Sequence, residues 1–432
     1  MLKIFINAGI IKVVSQLAGF LTIIVLSKNL TISEYSELSY FLTVVFIFSL
    51  IIYSGSQIAI TQNVAKFSLD IGGCSSLEYI KFLLQILCGL FLTIISIYLL
   101  YLYFLEKNID LFTTLVFLSV IGMAGPPIIS AFLRGVDKII ISIIVEPLLR
   151  TIIILAFISI VIYFELHLSM SIIVYYSVGL LVALIMSIFF AKANFMKFLK
   201  NNSSKLTLTK KDKKHFKSQW ILLTAYGFFI SVSGHMEIVI LDMMGFTNDL
   251  GRFRNYLAMS GIILLPAIII NQMLQNRTVK LFFNNEIPKL GKVLLEGNKI
   301  STVIASFLGF IFWIYGKEII EFVFSVQYSD KLFVFYILLM AQVTNVFFGA
   351  SGMVINMTQN HVAAVKILTI SFTIQIVLTP ILIAYFELIG AAYAMLLGVI
   401  IWKLLMWRWV RQKFSINTSF LLYYIEKRAL NK

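Results

Sequence analysis

The sequence predicts an all-α integral membrane protein of about twelve transmembrane helices, in two pseudo-symmetric lobes of six. Three observations carry that reading. Of 432 residues, 60% are hydrophobic and 13% charged; soluble domains run near 45–50% apolar and about 25% charged. The apolar residues come in runs of about the 20 residues a helix needs to cross roughly 30 Å of hydrocarbon. The basic residues collect in alternate loops, as they do where a chain threads a membrane repeatedly.

The runs fall at about 8–28, 38–62, 80–104, 111–133, 139–163, 169–192, 218–244, 256–276, 300–323, 332–355, 361–386 and 388–410. The first is too long, and too polar at its end, for a cleaved signal peptide. Two cysteines, Cys74 and Cys88, make neither a disulfide framework nor a metal cluster. The net charge of +15 is distributed by topology. Nine lysines lie between Lys192 and Lys217, whereas the odd-numbered loops 106–110 and 164–169 hold one lysine and none. That asymmetry predicts cytoplasmic termini and a cytoplasmic long loop. It also assigns the basic residues to topology and anionic membrane lipids rather than to nucleic acid. The expected organisation is an N-terminal lobe 1–194, a basic linker 195–217, a C-terminal lobe 218–411 and a basic cytoplasmic tail 412–432.

The halves repeat weakly. IVIYFELHL (160–168) resembles ILIAYFELI (381–389), placing Glu165 over Glu387 with a shift of 387 − 165 = 222. SQLAGFLTIIVL (15–26) resembles SVSGHMEIVIL (231–241), placing Gly19 over Gly234 with a shift of 234 − 19 = 215. QNVAKF (62–67) and NRTVKLF (276–282) each follow a long run and turn basic. An even number of helices per copy makes these parallel repeats, an arrangement that suits alternating access.

Two stretches carry a family resemblance. VVSQLAGFLTIIVLSKNLTISEYSEL (13–38) is similar to the first helix of the Wzx-type flippases, including the exit through Glu34, Tyr35 and Ser36. HMEIVILDMMGFTNDLGRFRNYLAMS (235–260) resembles the start of their second half, with Glu237, Leu241, Gly251 and Phe253 in the expected places and Phe where Tyr is usual. These flippases form the polysaccharide-transporter branch of the multidrug/oligosaccharidyl-lipid/polysaccharide exporter (MOP) superfamily, whose fold is MATE-like. The resemblance implies two six-helix lobes in a V and a bacterial inner-membrane location. It implies a substrate of undecaprenyl-pyrophosphate-linked O-antigen or capsule repeat units, moved from the cytoplasmic to the periplasmic leaflet. A polysaccharide polymerase and chain-length machinery are the partners it suggests.

A charge at the bilayer centre costs at least about 2.5–3.5 kcal/mol, so charged positions inside the runs are candidate sites. Lys12, Gln16 and Gly19 lie on one face of the first run. They read either as a polar strip with Lys12 attracting phosphate, or as a lysine snorkelling to the surface. Glu146 and Arg150 stand at i, i+4, the spacing of an ion pair, with Pro147 opening the helix between them. Arg150 is otherwise suited to gripping pyrophosphate through its fork. His235 and Asp242 share a helical face while Glu237 points elsewhere, so no metal site is expected. Glu237 is the strongest ion-coupling candidate, with His235 and Asp242 behind it. Gln272 offers a sugar contact or an interhelical hydrogen bond. Arg252 and Arg254 are expected in a periplasmic loop, either meeting the exported headgroup or simply solvated. No nucleotide-binding loop, catalytic triad or cofactor motif appears, so an enzyme is not expected. The rivals are a cation-coupled multidrug antiporter of the same superfamily and a membrane polysaccharide polymerase or ligase.

Overall fold

Lipid offers no hydrogen bonds, so a chain this apolar satisfies its backbone within helices. The computed structural model describes residues 2–68, 85, 111–136, 138–164, 168–201, 210–358 and 360–424. The predicted span 80–104, the loop 106–110, Cys74, Cys88, Glu165 and residues 202–209 of the basic loop lie outside the described residues. In chain order the helices are α1 (Leu2–Asn29), α2 (Ile32–Ser68), α3 (Leu111–Gly135), α4 (139–163), α5 (Leu168–Asn201) and α6 (Lys210–Val232). There follow α7 (Met236–Met243), α8 (247–283, with two 3-10 turns), α9 (Ile287–Ile314), α10 (Gly316–Val323), α11 (Leu332–Phe347), α12 (Ser351–Met357) and α13 (His361–Phe414).

Among the described residues, eight helices are long and apolar enough to cross a membrane, or ten if each of two bent pairs counts as one span. The 54-residue α13 covers the last two predicted runs. It reverses at Glu387 (φ 52°, ψ −131°), and Ser371 Oγ donates to Gly398 O at 3.3 Å across the resulting hairpin. The run at 256–276 starts earlier than expected, at Thr247. The run at 300–323 is instead a span Ile287–Ile314 followed by α10. Its first half is amphipathic, and Lys289, Lys292 and Lys299 hid it from a hydropathy reading. Pro126 and Pro127 lie inside α3.

The chain divides into two compact units: Met1–Leu30 with Tyr40–Ser231, and Thr31–Ser39 with Val232–Lys432. The residues 218–231, expected at the head of the C-terminal lobe, belong to the first unit. There Ser54 Oγ donates to Thr224 O at 3.3 Å, and Trp220 Nε1 to Ser56 Oγ at 2.9 Å. Elsewhere in this unit α3 lies against α5 through small residues, where Ser119 Oγ donates to Ser177 Oγ at 2.8 Å. Small side chains let membrane helices approach closely.

In the second unit, Thr31 and Glu34 form a capping box at the start of α2. Thr31 N reaches Glu34 Oε2 at 3.0 Å, and Glu34 N reaches Thr31 Oγ1 at 3.3 Å. Ser36 Oγ receives Gly251 N at 3.0 Å and donates to Asn248 O at 3.2 Å. The predicted tail is part of this unit as well, because α13 runs to Phe414 and residues 416–419 are buried. Thr418 Oγ1 donates to Phe348 O at 2.9 Å. Asn298 bridges the two segments, donating to Val346 O at 2.8 Å and accepting from Phe420 N at 2.7 Å. The docked segment thus sits on the 46° break between α11 and α12.

Gly349 lies in that break with φ +71°, and a Cβ there would stand 2.1 Å from Thr418 O. Gly349→Ala is expected to cost on the order of 1–3 kcal/mol, from a left-handed backbone and a clash with main chain. Thermal unfolding of the purified variant in detergent checks this; an unchanged midpoint would show that the tail yields freely.

Candidate functional site

The first unit gathers charges around Glu146. Pro147 supplies no N–H to the helical ladder, and α4 bonds as a π-helix over Ile144–Leu148. Thr151 Oγ1 donates to Pro147 O at 2.8 Å one turn on. Glu146 is held from two other helices. Gln57 Nε2 on α2 donates to its Oε1 at 3.0 Å, and Arg134 Nη2 on α3 lies 3.5 Å from its Oε2. Lys12 on α1 is half-buried and within electrostatic reach of Glu146 and Arg134.

Arg150 is not the partner of Glu146. Among the described residues the carboxylate of Glu146 is held by Arg134 and Gln57 instead. Arg150 is half-buried beside Tyr53, with no ion-pair partner among the described residues. Gln16, one turn from Lys12, is exposed. Sequence reasoning missed Arg134, because an arginine closing an apolar run reads as a topology signal.

In the second unit, the run that holds His235, Glu237 and Asp242 is broken. The break covers residues 233–235, between Val232 and the start of α7 at Met236. His235 precedes α7 as its N-cap residue, so helical spacing does not put it on a face with Asp242. It is half-buried, and Asp242 is partly exposed near the end of α7. Glu237 is fully buried. Gln375 Nε2 on α13 donates to Glu237 Oε1 at 2.6 Å and to Ser233 O, freed by the break, at 2.8 Å. Glu237 Oε2 is buried and has no hydrogen-bond partner among the described residues. An unmatched carboxylate oxygen calls for a proton or a cation.

Arg252 and Arg254 lie on α8 and not in a loop, and both are engaged. Arg252 pairs with Asp249 at 3.1 Å and Asp330 at 3.5 Å, and Lys331 meets Asp249 at 2.8 Å. Arg254 Nη1 donates to Ser39 O at 3.1 Å. These contacts brace the second unit and leave neither guanidinium idle. The side chain of Gln272 lies outside the described residues.

Comparison with solved structures decides the fold. A multidrug resistance MATE family transporter of the MOP superfamily, in an inward-facing conformation, matches with a TM-score of 0.75 over 94% of this chain and 98% of its own, at 12% identity. The lipid II flippase MurJ, in an inward closed conformation, matches with a TM-score of 0.68 over 94% of this chain and 87% of its own, at 16% identity. A MOP superfamily transporter from Pyrococcus furiosus, described as having a binding pocket of reverse polarity, gives 0.66 over 95% and 94%, at 13% identity. The chain has the MATE-type fold. No protein-family profile matches it, and no curated protein does. A MATE-type fold makes this a multi-pass membrane protein and leaves the substrate to be argued from side chains.

Removing the partner of Glu237 tests its burial. Gln375→Ala is expected to lower stability by about 1–3 kcal/mol, because a buried carboxylate loses its donor. Adding Glu237→Gln should recover part of that loss. Unfolding midpoints of both variants check it; equal stability of Gln375→Ala and the parent would mean that Glu237 has another partner.

Proposed function

We propose that this protein is a flippase for undecaprenyl-pyrophosphate-linked oligosaccharide repeat units, of O-antigen or capsule. It would carry them from the cytoplasmic to the periplasmic leaflet of a bacterial inner membrane by alternating access. The observation that carries the reading is the charge around Glu146. Among the described residues, Lys12, Arg134 and Arg150 set three cations against the carboxylate of Glu146 in membrane helices. Such an excess is costly in lipid unless an anion completes it. A pyrophosphate diester brings about two negative charges, and each leaving a negative-inside cell releases roughly 2.3 kcal/mol per 100 mV.

The likeness to MurJ, a protein named for flipping lipid II, supports a lipid-linked substrate. The lysine asymmetry supports cytoplasmic termini, which put Lys12, Gln57, Arg134 and Glu146 toward the leaflet where the substrate is assembled. The two repeats are read as six-helix lobes, with membrane lipids around them and polymerase and chain-length proteins as partners on the far side. Glu237, with its unmatched oxygen, is the coupling site in this reading. His235 and Asp242, flanking it on the broken helix, are subsidiary. Gln16 and Gln272 are sugar contacts.

A second reading is a cation-coupled multidrug antiporter. The buried Glu237 and the likeness to a MATE multidrug transporter favour it. The excess of cations in the first unit disfavours it for cationic drugs.

Complementation separates the two. The gene should restore surface polysaccharide in a strain deleted for its Wzx-type flippase. Arg150→Ala and Lys12→Ala should each reduce the polysaccharide at least about tenfold at equal membrane levels. A protein that restores no polysaccharide but lowers sensitivity to cationic drugs would transfer the assignment to the antiporter.

A further inference from the structure

Arg134 and Glu146 make an unusual ion pair for a membrane helix bundle. Strong arginine–carboxylate pairs are bidentate, with bonds near 2.7–2.9 Å. This one is a single contact at 3.5 Å, and its side chains remain 37% and 24% exposed. Glu146 has a second partner, since Gln57 donates to its other oxygen at 3.0 Å. Glu146 therefore keeps a hydrogen bond when Arg134 leaves. Arg150 stands outside this pair, with no ion-pair partner among the described residues, and so is available to another anion. Lys12 lies within electrostatic reach of both members of the pair.

Taken together, the geometry points to an exchange site. We propose that Glu146 is a resident counter-ion, and that the substrate's pyrophosphate displaces it from Arg134. This inference rests on the flippase reading and adds the residue that first receives the phosphate. In the empty protein, Glu146 neutralises one of the surrounding cations, so the helices are spared a bare cationic cluster. On binding, two phosphate oxygens take the Arg134 fork in the bidentate geometry that a single long contact to Glu146 lacks. Glu146 falls back on Gln57. The weakness of the resting pair is what makes the exchange feasible, because a tight pair would compete with every substrate. The arrangement also selects. A neutral headgroup has nothing to exchange for Glu146, so the pair remains closed against it. Lys12 and Arg150 attract the same anion but do not hold the carboxylate, so their loss weakens binding without altering the exchange.

The test is binding of farnesyl pyrophosphate, a short-chain prenyl pyrophosphate, to the purified full-length protein in lipid nanodiscs by calorimetry. Glu146→Gln keeps the shape and the acceptor for Gln57 but removes the competing charge; it should tighten binding about fivefold. Arg134→Ala should weaken binding about tenfold or more, and Arg134→Lys should fall between it and the parent. The double variant, Arg134→Ala with Glu146→Gln, should stay as weak as Arg134→Ala, since the gain from Glu146→Gln requires the freed guanidinium. Equal binding by the parent, Glu146→Gln and Arg134→Ala, with loss in Lys12→Ala or Arg150→Ala, would overturn the exchange and leave the flippase reading standing. A parent protein that binds no farnesyl pyrophosphate would remove the flippase reading and the exchange with it.

Discussion

Lipid offers a buried charge no water, so a charged side chain in a membrane helix has to find its partner within the protein. Each unit meets this constraint differently. In the first, Glu146 gathers Gln57 and Arg134 from neighbouring helices, and the cations outnumber it. In the second, Glu237 is fully enclosed and takes one short hydrogen bond from Gln375, which leaves its other oxygen unmatched among the described residues. The first arrangement suits a polyanion that arrives and departs. The second suits a proton or small cation.

Both arrangements depend on departures from regular helix. Glu146 sits on the π-turn that forms around Pro147, where Gln57 and Arg134 reach it. The break at 233–235 frees Ser233 O to accept from the same Gln375 nitrogen that holds Glu237. The break at 348–350 receives the docked segment through Thr418, and the buried Lys403 approaches Gly349 O at 3.4 Å. A cation near the last carbonyls of a helix opposes their partial negative charge. Irregular backbone at membrane depth persists where side chains or neighbouring segments satisfy it, and all three sites follow that rule.

Most of the described spans were legible in the sequence because apolar length is nearly a direct readout of hydrocarbon thickness. Arg150, Lys12 and Glu237 were legible because charge inside an apolar run is expensive. What a one-dimensional reading lacked was direction. An i, i+4 rule assigned Glu146 to Arg150, but Arg134 and Gln57 from other helices hold its carboxylate. Arg134 closes its helix and looked like a topology signal until its side chain was seen against Glu146. Arg252 and Arg254 looked like loop charges because their first helical turn is polar; Asp249 and Asp330 engage one, and a backbone carbonyl the other. The tail reads from its composition as a basic cytoplasmic segment; that Asn417, Thr418 and Ser419 are buried has no periodicity to announce it.

If the flippase reading holds, this protein moves a phosphate-bearing anion past the first unit's cations. The most direct measurement of that movement is flipping of a fluorescent pyrophosphate-linked oligosaccharide lipid in liposomes containing only the purified protein, with a potential imposed across the membrane. The account predicts transfer that accelerates when the side of origin is made negative, and little transfer of a neutral glycolipid bearing the same sugars. Equal transfer of both lipids, indifferent to the potential, would contradict it.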